Sequence, residues 1–176
     1  MKKSFTIVFL FLFIFSAKLK AQKIDDDNGR PETFSLGPGL GLDYGGIGVN
    51  MIVYPQKNVG VFFGGGYALA GFGYNFGLKL RIQKEGSVVD PYFMAMYGYN
   101  TAVYYEGGDG NQNIIFYGPS LGAGIDLHKR HASLGYWSFS LNVPFRSAEA
   151  RDWRQHHPGT TFTPVTVSVG YKFIIQ

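Results

Sequence analysis

The sequence predicts an all-β fold, an eight-stranded antiparallel up-and-down transmembrane β-barrel, on three observations. Lys2 and Lys3 precede a short apolar run, Phe5 to Phe15, of the kind that directs export. From Phe34 to Ile175 large apolar residues alternate with small or polar ones at period two, as strands do when their two faces meet different surroundings. The composition combines 25 Gly, 16 Phe and 12 Tyr with only 16% charged residues, against ~25% in a soluble globular domain. Something other than water covers much of such a surface.

The export segment sets the compartment. Its apolar run is shorter than the ~20 residues a membrane-crossing helix needs, and Lys18 and Lys20 follow at once, so it reads as a cleaved signal peptide over 1–21, cut after Ala21. Its loss removes four lysines and leaves 12 basic residues against 12 acidic ones, so the basic character of the full chain is no sign of nucleic-acid binding. The absence of cysteine excludes disulfides, thiolate metal sites and a lipid anchor, and the fold itself must hold the protein in the envelope.

Residues 22–33 carry Asp25, Asp26 and Asp27 followed by Asn28, Gly29 and Pro31, with no apolar period, and read as a periplasmic tail. The triplet lacks the alternating ligands and late Glu of a calcium loop. The barrel then occupies 34–176. The first strand places Phe34, Leu36, Leu40, Leu42 and Tyr44 opposite Ser35, Gly37, Gly39, Gly41 and Asp43, and a turn at Gly45 and Gly46 leads to Ile47, Val49, Met51 and Val53. The third strand runs from Val59 to about Leu69, with Phe62 of the wrong parity. The fourth, Asn75 to Gln83, sets Phe76, Leu78, Leu80 and Ile82 against Lys79 and Arg81. The fifth ends near Tyr105, with Phe93, Tyr97, Tyr99 and Val103 on its apolar face. A loop over Glu106 to Asn113 precedes the sixth, which opposes Ile115, Tyr117, Leu121 and Ile125 to Ser120 and Asp126. The seventh sets Trp137, Phe139, Leu141 and Val143 against Tyr136, Ser138, Ser140 and Asn142, and the eighth Val165, Val167, Val169, Tyr171, Phe173 and Ile175 against Ser168 and Lys172. No stretch shows a helical period.

A soluble β-sandwich also alternates, but its polar face meets water and is rich in charge. Here the small face offers Gly, Ser, Asn and Thr, with charges confined to Asp43, Lys79, Arg81, Asp126 and Lys172. Such a face suits a narrow lumen, and the large apolar face suits lipid, with Tyr44, Tyr99, Trp137, Tyr171 and Phe173 as interfacial aromatics. An even strand count with both chain ends in the periplasm sends Asp109 and Trp153 to the cell surface and keeps Lys57, Glu85 and Arg130 inside.

Together with the signal peptide and the eight strands, the last strand, Val165-Thr166-Val167-Ser168-Val169-Gly170-Tyr171-Lys172-Phe173, resembles the OmpA/OmpX-type outer-membrane β-barrel superfamily. The resemblance implies outer-membrane residence and recognition of the C-terminal strand by the assembly machinery. Many relatives end on an aromatic residue, whereas Gln176 is last here.

Few residues suggest chemistry. Arg81, Asp126 and Lys172 share the lumen face near the periplasmic ends of their strands and are the expected ion-pair cluster, either a plug or a determinant of pore selectivity. The loop Arg146 to Thr161 offers Arg146, Arg151, Trp153 and Arg154 for the anionic groups of lipopolysaccharide. A metal set of Asp152, His156 and His157 is disfavoured because adjacent histidines on an extended chain point apart. No cofactor is expected. Neither Ser133 nor Ser147 has a base partner, His128 and His131 flank a turn, and the glycine runs at Gly64 to Gly66 and Gly107 to Gly108 carry no lysine for phosphate. The expectation is therefore a non-enzymatic barrel with a structural or surface-interaction role, its lumen closed by side chains. A narrow channel and a lipid-acting enzyme are the alternatives.

Overall fold

A computed structural model describes residues 33–82, 87–107, 110–128, 134–157 and 162–175. The expected signal peptide, and the expected tail apart from Thr33, fall outside these residues, as do Glu85, Asp109, Arg130, His131 and Ser133. The chain forms β1 (Phe34–Gly41), β2 (Gly46–Gln56), β3 (Val59–Tyr67), β4 (Phe72–Arg81), β5 (Val89–Gly107), β6 (Gly110–His128), β7 (Gly135–Pro144) and β8 (Thr166–Ile175). Each strand pairs antiparallel with its sequence neighbours, and β1 closes on β8, giving a closed eight-stranded up-and-down barrel. Closure leaves no strand edge around the barrel wall, the arrangement in which every backbone group there can be paired without water.

Period two decides the faces. Val49, Leu78, Phe93, Leu121, Leu141 and Val167 point outward and are exposed, while Asn50, Asn75, Ser120, Ser138, Asn142 and Ser168 point inward and are buried. Phe62, whose parity breaks the apolar face of β3, is likewise an inward residue and packs with Ile52, Tyr54, Tyr92, Met94 and Met96 inside the barrel. The protein is thus inverted relative to a soluble barrel: its outer face is greasy, and its buried charges and amides lie within, around this one apolar cluster.

Four departures from the sequence expectation matter for function. The first strand ends at Gly41 rather than Tyr44, and Leu42–Tyr44 form a single 3-10 turn buried inside the barrel. Tyr44 is 1% exposed and cannot belong to an outer aromatic belt. Gly45 and Gly46 make the reversal feasible at φ 68° and 106°, where an L side chain is strained.

The expected loop after the fifth strand is mostly ladder, since β5 and β6 stay paired as far as Gly107 and Gly110. Both strands have 19 residues, about twice the 9–11 a tilted strand needs to cross hydrocarbon. β4 pairs β5 only up to Gly98, and β7 pairs β6 only up to Ser120, so the upper part stands beyond the barrel as a two-stranded hairpin. A bulge between Tyr99 and Thr101 changes the parity there. As a result Val103 is buried, where strict alternation had put it on the apolar outer face; Tyr99, just before the bulge, is partly buried against the lumen cluster.

The loop after β7 contains a helix, α1 (Ala148–His156), although the sequence shows no helical period. Nine residues are too few to display one, and its signals lie in the ends. Ser147 caps it by accepting from the Ala150 N–H, Glu149 sits in the first turn, and Arg154 and His156 in the last. Finally, Leu69 is a turn residue at φ 58° and not the end of β3.

Candidate functional site

The polar face of the barrel converges on a packed lumen. Lys79 Nζ donates to both Asp126 carboxylate oxygens at 2.9 and 2.7 Å, and Arg81 Nε lies 3.7 Å from Asp126 Oδ2. Asp126 is 0% exposed. Removal of such charges from water is costly, and here it is offset by close pairing and by aromatic faces. Lys79 Nζ lies 3.7 Å from the Tyr92 ring centroid, and the Arg81 guanidinium lies 4.1 Å from the Tyr54 ring centroid while also donating to the Tyr54 hydroxyl.

The predicted trio is therefore assembled only in part. Arg81 and Asp126 meet, but Lys172 is engaged elsewhere: its ammonium donates to the Asn50 side-chain and backbone oxygens and lies 4.6 Å from the Tyr44 ring. Lys79 takes the place expected of Lys172. It shares the inward parity of β4 with Arg81, two residues away, and the same-strand spacing was the available signal for it.

The buried 3-10 turn fills the upper lumen. Its buried carbonyl groups are met from the wall: Asn50 Nδ2 donates to Asp43 O and Asn75 Nδ2 to Leu42 O, both at 2.6 Å, and Leu42 O also accepts the Gly45 N–H. The glycines of the small face make room for it. A Cβ at Gly39 or Gly170 would overlap the Tyr44 ring, and one at Gly64 would overlap the Asp43 carbonyl. Several of the lumen glycines are thus space for a plug contributed by the chain itself.

Around the ion pairs, Tyr92 and Ser138 hydroxyls share a hydrogen bond of 2.9 Å, as do Tyr136 and Ser35 at 3.1 Å. His128, expected to cap a turn, is buried with Nε2 3.1 Å from Asp90 Oδ2 and its ring 4.7 Å from that of Tyr136. That approach to Asp90 is off the direction of a hydrogen bond. Asp43, Asn50, Lys79, Tyr92, Ser138 and Lys172 are among the residues lining a remaining cavity of about 10 Å³, room for about one water molecule.

Comparison with solved structures supports the same fold. The crystal structure of the N-terminal β-barrel domain of Pseudomonas aeruginosa OprF aligns with a TM-score of 0.54 over 81% of this chain and 96% of that one, at 11% sequence identity. The barrel is of the OprF kind in fold. No family model matches the chain, and no curated protein matches it by sequence.

At the barrel end opposite Phe34 and Ile175, the described part of the β7–β8 loop is tied to the β5–β6 hairpin. Arg146 Nη1 donates to the Asn100 carbonyl and side-chain oxygens at 2.7 and 2.8 Å, Nη2 donates to Thr163 O at 2.6 Å, and the guanidinium stands 5.2 Å from the Phe162 ring. Asn100 is the bulged residue of β5, so Arg146 satisfies a carbonyl that the ladder leaves free. Desolvation pulls the Arg146 pKa below the ordinary arginine value. Arg146 thus acts as a latch between loop and hairpin.

α1 lies over the hairpin, with Ala150 buried beside Val103 and Phe116, and Trp153 and Phe162 packed around them. The outer face of α1 leaves Arg151 and Arg154 exposed. Trp153, expected as a surface contact, is half-buried and stacks on His157 at 4.1 Å and 13°. His156 turns instead to the Asp152 carbonyl at 2.9 Å, with the Asp152 carboxylate 3.9 Å away. The two histidines therefore serve different neighbours. Among the described residues no group of three or more His, Asp or Glu is placed to hold a metal ion.

Proposed function

We propose that this chain is an integral outer-membrane β-barrel with a structural or surface-interaction role, exported by its cleaved signal peptide and closed to solutes by its own side chains. The inversion of polarity carries the reading. Large apolar side chains cover the outside of every strand while Lys79, Arg81, Asp126 and Lys172 are buried within, an arrangement stable where the exterior meets lipid. The export-type N terminus and the fold shared with the OprF domain support the same compartment.

The closed lumen favours this role over a channel. Eight strands leave an interior just wide enough for side chains, and here the 3-10 turn adds a further obstruction. Reproducible conductance steps from refolded protein in planar bilayers would contradict it; a silent bilayer with protein inserted is the expected result. The proposal includes no catalysis, and lipopolysaccharide incubated with the protein should keep its acylation by mass spectrometry.

For partners, the proposal names lipopolysaccharide at the outer face of α1, through Arg151 and Arg154, and the assembly machinery through β8. Arg146 is reserved for the latch. Two exposed guanidiniums one helical turn apart suit phosphate groups. Loss of both charges should weaken retention on immobilised lipopolysaccharide while leaving the barrel folded.

A further inference from the structure

The rim of the barrel at the end opposite Phe34 and Ile175 is uneven, and the two halves differ in chemistry. On one half stand the β5–β6 hairpin and the α1 loop, which carry Arg151, Asp152 and Arg154. On the other half the topmost outward row runs Leu40, Ile47, Tyr67 and Phe72 across paired strands β1 to β4, and all four are exposed. Above that row the β1–β2 connection folds into the lumen, so only the β3–β4 turn rises, and it consists of Ala68, Leu69, Ala70 and Gly71. Between Phe34 and Leu78 the charged residues are Asp43, inside the barrel, and Lys57, in the turn at the opposite end.

Strand length agrees with this. β3 has 9 residues and β4 has 10, only the 9–11 required to cross hydrocarbon. With Lys57 held at the periplasmic interface, nothing of β3 is left to rise above the opposite boundary. Leu69 is the sharpest feature. It is 76% exposed at the turn tip and stands at φ 58°, where glycine would be unstrained. The turn is fixed by Ala68 N–H donating to Gly71 O at 2.8 Å, and Tyr117 of the hairpin donates to Phe72 O at 3.4 Å. A tied-down turn aims a large apolar side chain away from the protein.

We propose that the β1–β4 half of this rim is submerged in the outer leaflet, with Leu69 inserted among acyl chains, so that only the β5–β8 half emerges from the membrane. The occupant is lipid because the surface continues the outward apolar face without a polar break. The inference rests on the membrane reading above, and Val167 on the outer wall separates the two.

The test uses single-cysteine variants Leu69→Cys, Phe72→Cys, Val167→Cys and Gln155→Cys of the full mature protein, which has no native cysteine. Each is labelled with an environment-sensitive fluorophore in phosphatidylcholine vesicles containing lipid with a nitroxide high on the acyl chain. Leu69 and Phe72 should be quenched as Val167 is, and Gln155 on α1 should not. Unlabelled Leu69→Cys should react with a membrane-impermeant maleimide far more slowly than Gln155→Cys. Quenching at Val167 without quenching at Leu69 and Phe72 overturns the submerged rim alone, and so does protection of Leu69 without quenching, the result a second copy or another protein would give. No quenching at Val167 overturns the membrane reading itself.

Discussion

At the scale of single residues, the lumen is held by a few committed side chains. Asp126 receives Lys79 and lies beside Arg81, so Asp126→Ala removes the carboxylate those two cations share. Removal of one partner of a buried ion pair typically costs about 3–5 kcal/mol, and the refolded variant should convert to the unfolded gel form at a markedly lower heating temperature than the parent protein. Tyr44 and its glycine neighbours give a second prediction. Gly170→Val places atoms where the Tyr44 ring lies, an overpacking that costs about 1–3 kcal/mol. Combining it with Tyr44→Ala should recover part of that loss, and strict additivity of the two substitutions in the same unfolding assay would refute the buried turn. The outward and inward faces were legible residue by residue, because parity alone separates Val167 from Ser168. Lys172 was misassigned to the Asp126 cluster because side-chain reach across the lumen depends on strand stagger, which alternation does not encode.

At the scale of elements, the sequence revealed strands better than what joins them. The 3-10 turn was hidden because Leu42 and Tyr44 continue the parity of β1, so two lumen residues imitated an outer face. The crowding of glycines at one end of β1, β2 and β3 was the overlooked sign that something else occupied that volume. The hairpin extension was obscured by the bulge at Asn100, which resets the alternation midway along β5. α1 was too short for periodicity, although the Ser147 cap and the placement of its charges were readable. Cap and latch differ in what they support. Ser147→Ala should cost about 0.5–2 kcal/mol of helix stability and speed proteolysis within the β7–β8 loop. Arg146→Ala removes the partner of the bulge carbonyl, and should release both the loop and the hairpin to proteolysis while the barrel wall stays resistant.

At the scale of the whole molecule, inverted polarity ties sequence, fold and proposed role together. The apolar outer face, the paired charges within and the absence of free edges around the wall are one solution to placing a backbone in lipid. That account makes the two faces unequal to charge. Phe139→Arg, midway along β7, should cost about 2–4 kcal/mol, whereas Ser140→Arg meets the lumen wall and is limited by space. The most direct measurement of the central claim is topological. Cysteine introduced singly at Gln155, Lys57 and Val167 is exposed, on intact Gram-negative cells expressing the protein, to a membrane-impermeant maleimide, and then again after outer-membrane permeabilisation. The account predicts labelling at Gln155 on intact cells, at Lys57 only after permeabilisation, and at Val167 in neither state. Labelling of Lys57 on intact cells with Gln155 protected would show the opposite insertion, and free labelling of Val167 would contradict a barrel whose outer wall meets lipid.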